Sequence, residues 1–484
     1  MQDKLRSLPL PETPALRLRR RCDRLVHGDS TGGLLLLSAV TLALVAGNSM
    51  FSEGYSEFWQ TPIGLSLGSW TIRHSLVHWI NDGLMTLFFF HVGLHIKREM
   101  VFGEFRQGRA MILPMMAAIG GMVVPALIFF TIVRDPSARS AWGIPMATDI
   151  ALVVGVLALL GDRVPNGLKV FILSLAIVDD VGAILVIAIF YSSHISLVAL
   201  AVAGMLLGVI VALNRLGVRQ VPAYLVVGVG VWFACLHSGI HPTIAGVALG
   251  LLTPASAWIG SRSLWDALTA LIPASSKQAD SSQSPDITGH DARLLIHVAR
   301  ESVSPLERLE TALHPWVMFF ILPLFALANS AVALDLGLLA SDVSIGVAMG
   351  LAIGKPVGIM AFSLLAVWCF KATLLNQLSW KGILGTSCLA GIGFTMSIFI
   401  TDLSLAGPLS DAAKGGTLIG SVISCVVGLT VLYHVLPAAV GTAAISDIVA
   451  AMPAPAADPQ EFGPLPNDPH DPGIDCEERP RHAA

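Results

Sequence analysis

Charge is what this sequence lacks. Only 13% of its 484 residues are Asp, Glu, Lys or Arg, about half the share of an ordinary soluble domain, which excludes a soluble enzyme. Acidic residues outnumber Lys and Arg by 33 to 29, so there is no bulk positive field to hold nucleic acid, and nucleic-acid partners are excluded. The six cysteines (22, 235, 369, 388, 425 and 476) show neither a CxxC pair nor a regular spacing. That excludes a metal knuckle and a disulfide framework, and leaves them as apolar fillers.

What the sequence has is apolar residues, 54% of the total with a mean hydropathy of +0.73. They come in blocks of the length that spans a bilayer, about 20 residues each. Twelve blocks are predicted, at 32–50, 76–96, 110–132, 145–160, 167–191, 195–214, 220–236, 241–257, 312–333, 344–370, 381–401 and 416–438. The first follows an Arg-rich stretch and has no small-residue cleavage site behind it, so it reads as an uncleaved span. With twelve crossings, 24 Lys and Arg fall on the side of the N-terminus and four on the other, with Lys355 inside the tenth block. Basic residues are retained in the cytoplasm, so both termini are expected there. The expected organisation is a cytoplasmic segment 1–31, a membrane domain 32–438 and a disordered cytoplasmic tail 439–484.

Two connecting segments carry patterns of their own. Between residues 50 and 75, Ile63, Leu65 and Leu67 alternate up to Gly68-Ser69 and the alternation resumes at Trp70 and Ile72, which predicts a small external β-hairpin able to pair with a second copy. The cytoplasmic loop 258–311 is rich in Ser, Asp and Gln around 275–290. A disordered insertion flanked by short amphipathic helices is expected there.

The informative residues are the charges at membrane depth, each costing at least about 3 kcal/mol to insert. They are Asp149 in the fourth block, Asp179 and Asp180 in the fifth, and Lys355 in the tenth. Three acids and one base cannot all pair, and the surplus carboxylates call for a water-filled cavity or a bound cation. Asp179 and Asp180 point about 100° apart on a helix, so one can pair Lys355 while the other faces a cavity. The blocks around them look broken. Pro145 precedes Thr148-Asp149, and Gly391-Ile392-Gly393 precedes Phe394-Thr395. Unwound backbone is tolerated at depth where it lines a cavity or is buried in protein. Spans three to five and ten to twelve would then be inverted repeats, with spans four and eleven as matching discontinuous helices; the competing reading is that Gly391 and Gly393 serve close helix packing.

These residues lie in long motifs: WINDGLMTLFFFHVGLHIKRE at 79–99, WGIPMATDIALVVGVLALLGDRVP at 142–165, LKVFILSLAIVDDVGAILVIAIFY at 168–191, LHSGIHPTIAG at 236–246, LHPWVMFFILPLFALAN at 313–329, GKPVGI at 354–359 and LAGIGFTMSIFI at 389–400. In them the chain resembles the bacterial sodium/proton antiporters of the NhaA family over roughly residues 30–435. The resemblance implies an all-α polytopic membrane protein with inverted repeats and crossed discontinuous helices four and eleven. It implies a secondary transporter rather than an enzyme, sited in the cell inner membrane and typically a homodimer in the lipid bilayer. Na+ or Li+ is exchanged for more than one proton, with no cofactor beyond the transported ions.

Residue by residue, Asp149 and Asp180 match the family's cation-binding and proton-carrying carboxylates, with Thr148 beside them. Asp179 and Lys355 match its acid–lysine pair. Lys97, Arg98 and Glu99, with Glu310 and His314, match a cytoplasmic set tied to activation by alkaline pH, and His241 matches a family histidine. Two positions depart from the pattern: His95 stands where the family has a glutamate, and Thr311 where a histidine can occur. Imidazole titrates at about 6.5, so His95 would go from positive to neutral as pH rises, where a glutamate goes from neutral to negative.

Rival readings are an intramembrane aspartyl protease using Asp149 and Asp180, whose GxGD and YD signatures are absent, and a cation-coupled symporter, for which no aromatic or Arg cluster appears near the midplane. His91 and His95 lie one helical turn apart, a metal-holding spacing, without an evident third ligand. His237 and His241 read equally as interfacial polar residues or as part of a pH response.

Overall fold

The computed structural model describes residues 29–67, 70–103, 111–192, 195–218, 221–257, 289–332, 335–372 and 378–436. The expectations for the basic N-terminal segment, the middle of the 258–311 loop and the tail after 439 lie outside them.

With no water at the bilayer core, a spanning chain must satisfy its backbone internally, and uninterrupted apolar sequence does so as helix. In chain order the helices are α1 (Asp29–Gly47), α2 (Ser52–Gln60), α3 (Met85–Phe102), α4 (Ile112–Ile132), α5 (Ile150–Leu159), α6 (Asn166–Phe190), α7 (Leu197–Arg215), α8 (Val221–Ser238) and α9 (Thr243–Leu252). They continue as α10 (Gly289–Glu301), α11 (Pro305–Trp316), α12 (Leu322–Asn329), α13 (Asp342–Met349), α14 (Lys355–Phe370), α15 (Trp380–Leu389), α16 (Phe394–Ser404) and α17 (Pro408–Val435). Seven helices are long and apolar enough to cross a membrane, or up to nine if each of two bent pairs counts as one span; α9 is apolar but shorter. The chain is thus a polytopic helical protein, and each apolar block of the sequence coincides with helix.

The boundaries differ from expectation where local chemistry intervenes. The first block was expected to run to residue 50, but α1 ends at Gly47, because Asn48 Nδ2 donates to Leu44 O at 2.9 Å and Ser49 Oγ to Ala46 O at 2.9 Å, capping the last carbonyls. The chain then turns by 115° into α2, so helix occupies much of the segment expected to be hairpin. The sheet itself is β1 (Pro62–Leu67) antiparallel to β2 (Trp70–Ser75), closing at Leu67↔Trp70. The eighth block shrinks to α9, bounded by Pro242 and by Thr253-Pro254, since a proline disfavours helix in the residue before it. The ninth starts early, at α11, where the Ser304 hydroxyl accepts from the Glu307 N–H at 3.2 Å and lies 3.3 Å from its carboxylate, a serine N-cap. Of the helices expected to flank the 258–311 insertion, α10 is present, and its Leu294 and Ile296 are exposed.

Three π-helical turns interrupt the helices among the described residues: Trp79–Leu84 before α3, Val317–Ile321 between α11 and α12, and Gly350–Gly354 before α14. Such turns recur at functional sites, and the last delivers Lys355. Its helix is fixed by α4: a Cβ on Gly120 would strike the Gly358 carbonyl, and one on Gly358 the Gly120 carbonyl. Small residues let membrane helices approach this closely.

Candidate functional site

The backbone opens at two places. Arg139–Met146 forms a 3₁₀ helix, Ala147 and Asp149 are extended, and α5 begins at Ile150. Helices α15 and α16 are separated by residues 390–393 and bent by 47°. The two breaks meet: the Asp149 N–H donates to Ile392 O at 2.7 Å, and Ser397 Oγ, one turn into α16, donates to Ile144 O at 2.8 Å. Each opening thus supplies partners for backbone groups freed in the other. A Cβ on Gly393 would press against Ala147 O and Ser397 Oγ, so the contact needs glycine there.

Asp149 caps α5. Its Oδ1 accepts the Leu152 N–H at 3.1 Å, and its Oδ2 accepts both the Thr395 N–H at 3.1 Å and the Thr395 hydroxyl at 2.5 Å. A carboxylate at a helix N-terminus also gains from the dipole. The side chain is thus held by both breaks while only 2% exposed.

One residue earlier, Thr148 Oγ1 accepts from Lys355 Nζ at 2.5 Å. Its single proton has two acceptors in reach, Asp179 Oδ2 at 2.5 Å and Ala390 O at 2.9 Å. Lys355, fully buried, forms an ion pair with Asp179 Oδ2 at 2.5 Å. The other Asp179 oxygen is buried without a hydrogen-bond partner among the described residues. Asp180, 6% exposed, makes no hydrogen bond among the described residues, and its electrostatic neighbours are Asp179, Asp149 and Lys355. Spacing alone left open which aspartate pairs the lysine; the structure pairs Asp179.

The residues expected to respond to pH divide into two places. His95 Nδ1 lies 3.1 Å from Glu310 Oε1, and Arg98 Nη1 donates to the same oxygen at 3.0 Å. The His314 ring lies 5.7 Å from that of His91, and no contact ties Lys97 or Glu99 to this group among the described residues. His241 belongs elsewhere. Its Nε2 is 3.6 Å from Asp82 Oδ1, thirteen residues before His95 and hence about 20 Å away along the helix.

The sequence reading passed over Thr395, whose signal was its place just behind the glycine break. It also passed over Asp82, an acid inside an apolar block. A third omission is the reciprocal amide pair in which Asn81 Nδ2 donates to Asn329 Oδ1 at 3.1 Å and Asn329 Nδ2 to Asn81 Oδ1 at 2.8 Å.

Comparison with known proteins places the chain in a family. The model of the family Na+/H+ antiporter 1 matches residues 23–432. The chain belongs to that family. It is therefore a transporter rather than an enzyme. Similar proteins include the Na(+)/H(+) antiporter NhaA 2 of Sorangium cellulosum, 46% identical over 88% of this chain and 94% of that one. The Na(+)/H(+) antiporter NhaA of Rhodopirellula baltica is 43% identical over 89% and 97%, and that of Rhizobium meliloti 42% over 87% and 96%.

Proposed function

We propose that this antiporter extrudes Na+, and Li+, against an inward flow of protons, with Asp149 and Asp180 as the carboxylates that hold one or the other. The observation that carries this reading is Asp180: a buried carboxylate with no hydrogen bond among the described residues, beside a second carboxylate held in place by two helix breaks. Na+ is a hard cation that prefers carboxylate, carbonyl and hydroxyl oxygens, and the two acids, with Thr148 Oγ1, offer them. A proton binds the same carboxylate oxygens, so loading with cation expels protons and the reverse. That competition couples the two flows. Two carboxylates facing one monovalent cation return more protons than cations per cycle, which makes the exchange electrogenic. The Asp179–Lys355 pair neutralises the neighbouring acid and can release or accept a proton as the site changes occupancy.

The rest of the reading is architectural. Twelve crossings leave both termini in the cytoplasm of a cell inner-membrane protein. Spans three to five and ten to twelve are inverted repeats whose broken members, four and eleven, cross at the junction of Asp149 and Ile392. The β1–β2 hairpin lies outside and joins two copies into a homodimer; residues 1–31 and 439–484 flank the membrane domain on the cytoplasmic side. His95, Lys97, Arg98, Glu99, Glu310 and His314 set the pH response at the cytoplasmic rim, with His241 acting from the opposite end.

The test is dye-reported proton movement in everted vesicles from antiporter-deficient cells, given Na+, Li+ or K+ across roughly pH 6 to 9, which overlaps the range of about pH 5 to 8 in which histidine changes charge. Dissipation of the gradient by Na+ and Li+, lost in Asp180→Asn, is the expected result. A response that survives Asp180→Asn refutes the site assignment, and dissipation that requires an organic co-solute favours a symporter.

A further inference from the structure

Thr395 reaches Asp149 only if α16 stands at the right height, and α16 is a helix of 11 residues cut off from α15 by the break at 390–393. A helix released by a break at its start needs fastening elsewhere, and α17 fastens it at both ends. At the break, the Gly393 N–H donates to Ser421 Oγ at 3.3 Å. At the far end, Lys414 Nζ lies 2.6 Å from Asp402 Oδ1. Lys414 and Ser421 share a face of α17 and stand about 10 Å apart along it. Asp402 lies on the face of α16 that carries Thr395, almost two full turns further on. The anchor is itself anchored, since a Cβ on Gly416 of α17 would strike the Ser344 carbonyl of α13.

Packing alone does not account for the far rung. Its side chains are largely withdrawn from solvent, Lys414 13% and Asp402 21% exposed. Asp402 Oδ2 is buried without a hydrogen-bond partner among the described residues, and the other charge acting on this acid is the like charge of Asp411. Apolar side chains of similar volume are often as stabilising as such a pair or more so. What two ions add is a single register: they meet at one height of α16 against α17, where apolar side chains would let the helices slide.

We propose that Asp402 and Lys414 are positioning residues for the exchange reaction, their ion pair setting the height of α16 and with it the reach of Thr395 to Asp149. This rests on the reading of Asp149 as a cation ligand; neither member of the pair touches the ion. Between its two fastenings α16 acts as a rod, so a shift at Asp402 is carried to Thr395. There the hydroxyl contact to Asp149 at 2.5 Å and the adjoining bond from the Asp149 N–H to Ile392 O at 2.7 Å leave little room for displacement.

The experiment compares Asp402→Asn, Lys414→Gln and the charge-keeping Lys414→Arg with the wild type. Na+-dependent exchange in everted vesicles is read as KM and kcat, and amide hydrogen exchange of the segment 390–397 is read on the full chain in detergent. Asp402→Asn and Lys414→Gln are each expected to raise the KM for Na+ at least about threefold, within the range reached by residues coupled in one network, with a smaller change in kcat. Both speed hydrogen exchange at 390–397, and Lys414→Arg stays near the wild type in both readouts. A pair that only adds stability would lower the thermal unfolding temperature and leave KM unmoved. Wild-type KM in Asp402→Asn and Lys414→Gln, unchanged hydrogen exchange at 390–397, or a KM in Lys414→Arg as high as in Lys414→Gln overturns the proposal. Absence of Na+-dependent exchange in the wild type refutes the site reading instead, and the hydrogen exchange then still decides whether the pair holds α16. If one variant does not fold, the substitution of its partner carries the same test.

Discussion

Asp149 and Asp180 are both buried carboxylates in one site, yet they are held in opposite ways. Asp149 accepts three hydrogen bonds from two elements, whereas Asp180 accepts none among the described residues. A carboxylate whose oxygens are occupied by fixed donors is a positioned ligand, part framework and part binding group. One without donors keeps its full affinity for whatever enters. If these two acids are the proposed cation site, the difference teaches that such a site in a low-dielectric interior can divide its labour, one acid setting geometry and the other supplying the charge that cation and proton contest.

The largest effect is expected from breaking the Asp179–Lys355 pair beside these acids. Lys355→Met leaves Asp179 buried and unpaired and destabilises the detergent-solubilised protein by about 3–5 kcal/mol. Thermal unfolding checks this, and the double variant Asp179→Asn/Lys355→Met recovers most of the loss. Next comes the asymmetry itself. Asp149→Asn keeps measurable exchange at a raised KM for Na+, because part of its role is structural, while Asp180→Asn keeps none. Equal loss in the same vesicle assay breaks the comparison. Thr395→Val removes one donor to Asp149 and raises the Na+ KM about tenfold, or ~1.4 kcal/mol, near the low end for a bond to a charged acceptor; kcat stays close to wild type. The smallest effect lies at the rim. Arg98→Gln breaks a pair whose arginine is half exposed and changes stability by under ~1 kcal/mol, while the pH onset of exchange moves.

Much of this was legible in the sequence because membranes penalise exceptions. Asp149, Asp179, Asp180 and Lys355 stood out against apolar blocks, and Pro145 and Gly391–Gly393 marked the places where helix gives way. Thr395 did not stand out, since a threonine in an apolar helix is unremarkable until its hydroxyl is found on Asp149. Nor did Asp82 or the Asn81–Asn329 pair, whose partners come from segments far apart in the chain. The end of α1 was misplaced because Asn48 and Ser49 act through side-chain bonds to carbonyls that hydropathy does not register. The turn into α2 was missed for the same reason.

The Gly120–Gly358 contact has a mechanical consequence. A helix of 16 residues facing only lipid could rotate or slide under a small torque. Where two backbones mesh without side chains between them, one cannot turn without dragging the other. Helices α4 and α14 therefore behave as a single strut, and the ammonium of Lys355 is bolted to it. Since α4 carries no ionisable residue, the charge the strut bears is that of Lys355, at the first position of α14.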